Sequence, residues 1–368
     1  MARSRPFVRC LVLMLVLCSA SLAMAASWRF AVVGDTRGTS GSAPINAAAV
    51  SAIVQSLTGE GIDLLLVPGD LVNGSTSVAL ATQLSTWRAA MAPLYTAGVA
   101  VYPIRGNHET AGGTTAWKNA FPDVPQNGPT TPSSEVGLTY SLTHNNALFI
   151  GFDEYVRSHR VNQDYLDGLL DAAGRPPHVF VFGHEPAFAA NHPDTLDDYP
   201  IDRDNFWDSL GAANVPMYFC GHDHFYARSA MEDANGNPVQ QLIVGAGGAP
   251  FHTFIGYADP SVQPLYSDDD HYGYLLVSVD GPSVSVQYKA QLNVAQPNVF
   301  TTVDQFSLEP IAGDVDGDGH VNVVDLLYLV DAFGGVPGDS NYSVACDFNR
   351  DDSVDVVDLL MLVENFGT

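Results

Sequence analysis

At 368 residues with 46% hydrophobic positions, the chain is long enough to bury a sizeable core and too apolar to be disordered. Its formal charge of −26, from 41 acidic against 15 basic residues, argues against a nucleic-acid partner. Only four cysteines are present, and two of them, Cys10 and Cys18, fall in an N-terminal leader, so a disulfide framework is excluded.

Residues 1–25 read as a secretory signal peptide. Arg3, Arg5 and Arg9 precede an apolar run over 11–20, and Ala23-Met24-Ala25 supplies a small-x-small cleavage pattern. The run is too short to cross a bilayer and no stop-transfer pattern follows, so no membrane span is expected. Leu17, where a small residue would be wanted, disfavours lipid attachment at Cys18. The expected location is secreted, extracellular or cell-surface, with the periplasm as the other compartment open to it. Losing the three leader arginines takes the charge to about −29. Cys220 and Cys346 remain, and both read as buried small residues.

Residues 26–300 are expected to form one α/β domain. Short apolar strands at 29–33, 63–67, 99–104, 147–152, 178–182 and 217–220 alternate with helical stretches at 44–57, 78–91, 162–172 and 205–212. From Phe225 the texture turns β-rich, with strands at 225–231, 240–244, 272–279 and 283–289 punctuated by Asn235-Gly236-Asn237 and Asp280-Gly281. Residues 122–137 and 186–203 carry the Pro, Asn, Asp and Thr of surface loops. A linker is expected over 301–312. Residues 313–368 then hold one unit twice: Asn322-Val323-Val324-Asp325-Leu326-Leu327 returns 33 positions later as Asp355-Val356-Val357-Asp358-Leu359-Leu360.

Five short motifs fall at the carboxyl ends of expected strands: Gly34-Asp35, Gly69-Asp70, Gly106-Asn107-His108-Glu109, Gly183-His184 and Gly221-His222-Asp223-His224. That is where α/β folds place their chemistry. The glycines are expected to turn the chain sharply off each strand. Carboxylate, amide and imidazole donors would then converge, a mixed set suited to Zn, Mn or Fe.

With these motifs in this order the sequence resembles the calcineurin-like metallophosphoesterase superfamily, which includes the purple acid phosphatases, over about 28–288. The resemblance implies a two-sheet β-sandwich flanked by helices in four layers, with a two-metal centre at one edge. It implies that Asp70 bridges the metals, that Asp35 and His224 hold the first, and that Asn107, His184 and His222 hold the second. It also implies a metal-activated hydroxide attacking a phosphate mono- or diester, with His108 protonating the leaving group or stabilising the transition state. The sequence departs from the family at Arg37, where many members have a ligating His. A guanidinium stays protonated and cannot ligate. Arg37 has two readings, a contact to a phosphate oxygen or a structural salt bridge. Asn73 falls where purple acid phosphatases use a Tyr ligand and is expected as a weak oxygen ligand. Asp223 or Glu109 is expected to orient a neighbouring imidazole, while His192 and His252 have two readings, a reach to the substrate or, favoured, exposed loop residues.

The acidic tail has its own donor spacing. Asp314, Asp316, Asp318, the His320 carbonyl, Asn322 and Asp325 occupy positions 1, 3, 5, 7, 9 and 12 of a calcium loop, and Asp347, Asn349, Asp351, Ser353, Asp355 and Asp358 repeat the arrangement. Each loop leads into an apolar helix. Two such units resemble a dockerin, a small all-α calcium-binding module, which implies Ca2+ and a cohesin-bearing partner. Asp352 stands where the loop usually has Gly. The expected protein is therefore a secreted metal-dependent phosphoesterase tethered by a dockerin. The alternative is a catalytically weak scaffold of a cohesin–dockerin or polysaccharide-degrading assembly; a glycan hydrolase finds no paired-carboxylate motif to support it.

Overall fold

A computed structural model describes residues 27–308, 312–315, 320–349 and 351–367. The leader at 1–25, and Asp316 and Asp318 of the first acidic loop, lie outside the described residues. Among the described residues no helix is long and apolar enough to cross a membrane.

The catalytic part is built on two sheets. The six strands of the first run Thr301–Leu308, Ser283–Ala290, Gly273–Asp280, Trp28–Val32, Leu64–Pro68 and Ala100–Ile104. The seven of the second run Gln263–Asp268, Tyr226–Glu232, Pro238–Val244, Met217–Cys220, His178–Phe182, Ala147–Gly151 and Tyr140–His144. In both, a parallel core is edged by antiparallel strands. The composition of the strands follows from this. Leu64–Pro68 is covered on both faces and is buried at every position, whereas Ser283–Ala290, next to the edge of its sheet, alternates exposed and buried residues. The sheets meet through aromatic side chains: Phe30 of the first lies 5.1, 4.8 and 6.1 Å, ring to ring, from Phe149, Phe180 and Phe219 of the second. All four are buried, and this interdigitated layer fixes one sheet against the other.

The two-sheet α/β class expected from the sequence is the observed one, and several boundaries shift for local reasons. The first helix runs Ala47–Glu60 rather than 44–57, because Ala43–Ile45 first pairs with Arg37–Ser40 as a small hairpin. Asn46 then caps the helix through Oδ1 to the Ala49 amide, and Gly61 ends it with φ +69°. The helix Pro200–Ala212 takes its start from residues expected in a loop.

The largest correction concerns 301–312. Thr301–Leu308 is not a linker but the sixth strand of the first sheet, paired antiparallel along Ser283–Ala290. Its Asp304 reaches the second sheet, taking a two-pronged ion pair from Arg228 (2.8 and 2.9 Å) and the Tyr226 hydroxyl (2.9 Å). Asp304 is nearly buried, so losing its carboxylate leaves Arg228 uncompensated. Asp304→Ala should lower the free energy of unfolding by about 3 kcal/mol, read from urea denaturation. A chain ending at Phe300 should be recovered unfolded.

Following the strand, the C-terminal module is a pair of helices, Val323–Ala332 and Val356–Glu364, with a small core of its own that includes Val321, Leu329, Cys346, Val354 and Leu362. Cys220 and Cys346 are free thiols, each buried in a separate core, as the sequence implied.

Candidate metal centre

The five motifs sit on the turns that leave Trp28–Val32, Leu64–Pro68, Ala100–Ile104, His178–Phe182 and Met217–Cys220. The expectation that glycines make these turns is only partly met. Asp35, Asp70 and His222 themselves take left-handed backbone conformations, with φ of 55°, 50° and 70°. Each such residue costs roughly 1 kcal/mol. Hydrogen bonds hold them there: the Asp35 amide donates to the Gly69 carbonyl at 3.1 Å, and the His222 amide to Asp35 Oδ2 at 3.0 Å. Gly106 and Gly221 serve by what they lack. A Cβ on Gly106 would lie 2.1 Å from Asp70 Oδ1, and one on Gly221 would lie 2.3 Å from Asp35 Oδ2.

Asp70, Asn107, His184 and His222 are brought together as one donor set. His184 Nδ1 donates to the Pro68 carbonyl at 2.8 Å, which leaves a bare lone pair on Nε2. That lone pair faces Asn107 Oδ1 at 3.2 Å and Asp70 Oδ1 at 3.5 Å. Burial holds His184 down at about 4, against the attraction of Asp70, so the ring is neutral. Burial pushes Asp70 up, but His184, His108 and Arg37 around it outweigh that and leave it below the ordinary range. His222 Nε2 is buried without a hydrogen-bond partner. Converging acceptors and an orphaned ring nitrogen are what a cation of mixed N/O preference requires, and the four residues fit one.

The first metal's expected residues are also adjacent, with His224 Nε2 3.7 Å from Asp35 Oδ1. The fit is different, because Arg37 lies among them. Its Nε is 3.4 Å from Asp70 Oδ2 and its NH2 group is 3.3 Å from His224 Nε2. Burial, the Asp70 charge opposing that of Arg37, pushes Asp35 well up. Asn73 has its side-chain amide turned to the Gly38 carbonyl at 3.2 Å, and its own carbonyl accepts His108 Nδ1. His108 is thereby oriented with Nε2 3.6 Å from Asp70 Oδ2, a quarter exposed at the mouth of the centre.

Of the two carboxylates expected to orient a neighbouring imidazole, Asp223 does so, while Glu109 acts on the backbone. Glu109 accepts the amides of Asp70, Val72 and Gly106 at 3.2, 3.0 and 2.8 Å. Glu154, which no sequence motif singles out, does the same for His184 and Glu185 at 2.8 and 2.7 Å. Asp223 pairs with His192 Nδ1 at 2.7 Å and accepts the amides of Asn191 and His192. His192 and His252 are accordingly half-buried parts of the centre, not exposed loop residues: their rings lie 4.3 Å from His222 and 3.9 Å from His224. For His192 the sequence signal was a histidine in a loop that also carries Asp194, whose Oδ1 is 3.6 Å from His222 Nε2.

In the C-terminal module the position-12 residues, Asp325 and Asp358, are buried and cap their helices: Asp325 accepts the Val315 and Asn322 amides, Asp358 those of Phe348 and Asp355. Asn322 and Asp355 are the N-caps. Asp347 is buried and close to the Asp351 and Asp352 amides, Asn349 touches Asp351, and Asp314 is also buried, while His320 is exposed. These oxygens and their loop spacing fit a hard cation such as Ca2+. Asp352 adopts φ +66°, the conformation that explains the usual glycine there.

The sequence matches the calcineurin-like phosphoesterase family over residues 29–226, more than half of the chain. The chain belongs to that family. Residues 312–366 match the dockerin type I domain, a calcium-binding module that pairs with cohesins. Among solved structures the chain is similar to a purple acid phosphatase from yellow lupin seeds, with 16% identity, TM-score 0.59 and coverage of 77% of this chain and 53% of that one. It is similar to PhoD, with 14% identity, TM-score 0.57 and coverage of 78% and 70%. It is also similar to GAP50, the anchor in the inner membrane complex of Plasmodium, with 14% identity, TM-score 0.54 and coverage of 77% and 89%. At these identities the likeness is one of fold, and the chain spans only about half of the lupin protein. No curated relative matches.

Because the Asp70 carboxylate lies over Gly106, Gly106→Ala should weaken transition-metal binding roughly tenfold or more while leaving the far-UV circular dichroism unchanged. Isothermal titration with Zn2+ or Mn2+ in saturating calcium checks this.

Proposed function

We propose that the protein is a secreted phosphoesterase that hydrolyses phosphate mono- or diesters at a transition-metal centre held by Asp70, Asn107, His184 and His222, and that its dockerin tethers it to a cohesin-bearing partner through Ca2+. The observation that carries the catalytic reading is the His184 Nε2 lone pair directed at two oxygen acceptors, beside the unpartnered His222 Nε2. Without a cation that arrangement is repulsive, which supports the enzyme over the scaffold.

A bound divalent ion of the Fe, Mn or Zn type acidifies a coordinated water and polarises a phosphoryl oxygen. The chain supplies the rest. Glu109 and Glu154 fix the turns that carry Asp70 and His184, so that the donors need no reorganisation when substrate arrives. His108, anchored through Nδ1 to Asn73, presents Nε2 at the mouth of the site and can pass its proton to the leaving oxygen. Asp223 positions His192 over the same opening. A second metal, which the resemblance implies, finds two of its expected donors, Asp70 and His224, already facing Arg37.

Purified full-length protein should contain transition metal and turn over a chromogenic monoester or diester. Neither metal nor turnover after addition of Mn, Zn or Fe would favour the scaffold. Asp70→Ala and His222→Ala should abolish turnover, whereas His108→Ala should lower kcat roughly 10²-fold or more with the metal retained.

For the module, Asp352→Gly removes a left-handed non-glycine residue from the second loop. Relief of ~1 kcal/mol corresponds to calcium binding roughly fivefold tighter at that loop, measurable by titration of the full chain.

A further inference from the structure

Arg37 stands at an unusual place. The ring of His224 donates through Nδ1 to the Pro250 carbonyl at 2.7 Å, so its only in-plane lone pair is on Nε2. The NH2 group of Arg37 lies 3.3 Å from that nitrogen. An Nε2 lone pair can accept this N–H or bind a metal, but not both. The guanidinium also sets Nε 3.4 Å from Asp70 Oδ2, the oxygen of Asp70 that faces away from His184. A first metal would have to coordinate these same two atoms. Arg37 is largely buried, with 16% of its side chain exposed, and NH1 is directed at the Gly38 carbonyl at 3.4 Å, so it is held in place rather than swinging in solvent. The carboxylate of Asp35 has Oδ2 engaged by the His222 amide and Oδ1 buried without a hydrogen-bond partner.

We propose that Arg37 replaces the first metal, so that the centre holds one transition-metal ion, at Asp70, Asn107, His184 and His222, flanked by a permanent guanidinium cation. The phosphoryl group would then be held between one metal and the remaining N–H groups of Arg37, a planar donor fork suited to phosphate oxygens. This rests on the phosphoesterase reading for its catalytic meaning, but the metal count does not.

The test is elemental analysis of the full chain after equilibration with excess Mn2+ in saturating calcium and removal of free metal. One Mn per chain with the six-line paramagnetic resonance spectrum of an isolated ion is expected, and two exchange-coupled ions would overturn the proposal. Arg37→His should raise the count to two and introduce the coupled spectrum; a count that stays at one would mean that Arg37 is not what excludes the second ion. Arg37→Met, which removes the charge and adds no ligand, should keep the Met-variant's metal at His184 and His222 while kcat falls roughly 10²-fold; an unchanged kcat would refute the catalytic half. Failure of the wild type to hydrolyse any ester would sink the phosphoesterase reading and leave the metal count standing.

Discussion

Two buried carboxylates, Asp35 and Asp70, lie within one cation's reach of each other and of His184, at the ends of neighbouring parallel strands. Their mutual repulsion in a dry site is the constraint around which the molecule is arranged. Backbone amides are turned onto them, the neutral His184 ring is pointed at Asp70, and one guanidinium lies between Asp70 and His224. The two sheets matter because they deliver these groups from opposite sides. The Phe30, Phe149, Phe180 and Phe219 layer sets the spacing of the strands whose ends carry them.

Precision in that delivery comes from backbone that is deliberately uncomfortable. Three residues of the centre, Asp35, Asp70 and His222, sit in left-handed conformations that an unconstrained chain would avoid, and buried glutamates accept the amides of the turns on which two of the donors ride. The strain is local and the compensation is local too. A substitution at Glu109 or Glu154 therefore acts on geometry without touching any donor atom, which makes these carboxylates positioning residues rather than ligands.

Much of this was legible in the sequence, for a physical reason. A glycine followed by a donor at a strand end is a short-range pattern, and five in order leave few folds able to use them. The repeat with its oxygen spacing was legible on the same ground. Thr301–Leu308 was not, because its alternation of Thr, Asp, Gln and Ser with Val and Phe describes an edge strand only once the sheet it joins is known. Nor could the contact of Arg37 with His224 be read, since 187 positions separate the partners and a guanidinium two places after a ligand has several destinations. His192 and His252 were missed because what gathers them, Asp223, reads as a spacer between two ligands until its side chain is seen pointing at the loop.

The C-terminal helices show a different kind of dependence. The Gly367 amide donates to the Val321 carbonyl, the Gly334 amide to Val354 and the Val354 amide to Gly335, so the end of each repeat is tied to the start of the other. Neither repeat is a self-sufficient unit; they close like two halves of a clasp. Asp352 makes one loop the poorer partner for an ion, and the clasp transmits that weakness to both. Under the proposed tethering, the free-calcium concentration for release would then be set by the worse loop, not by the average of the two. Loss of calcium would undo both halves of the clasp together rather than one after the other.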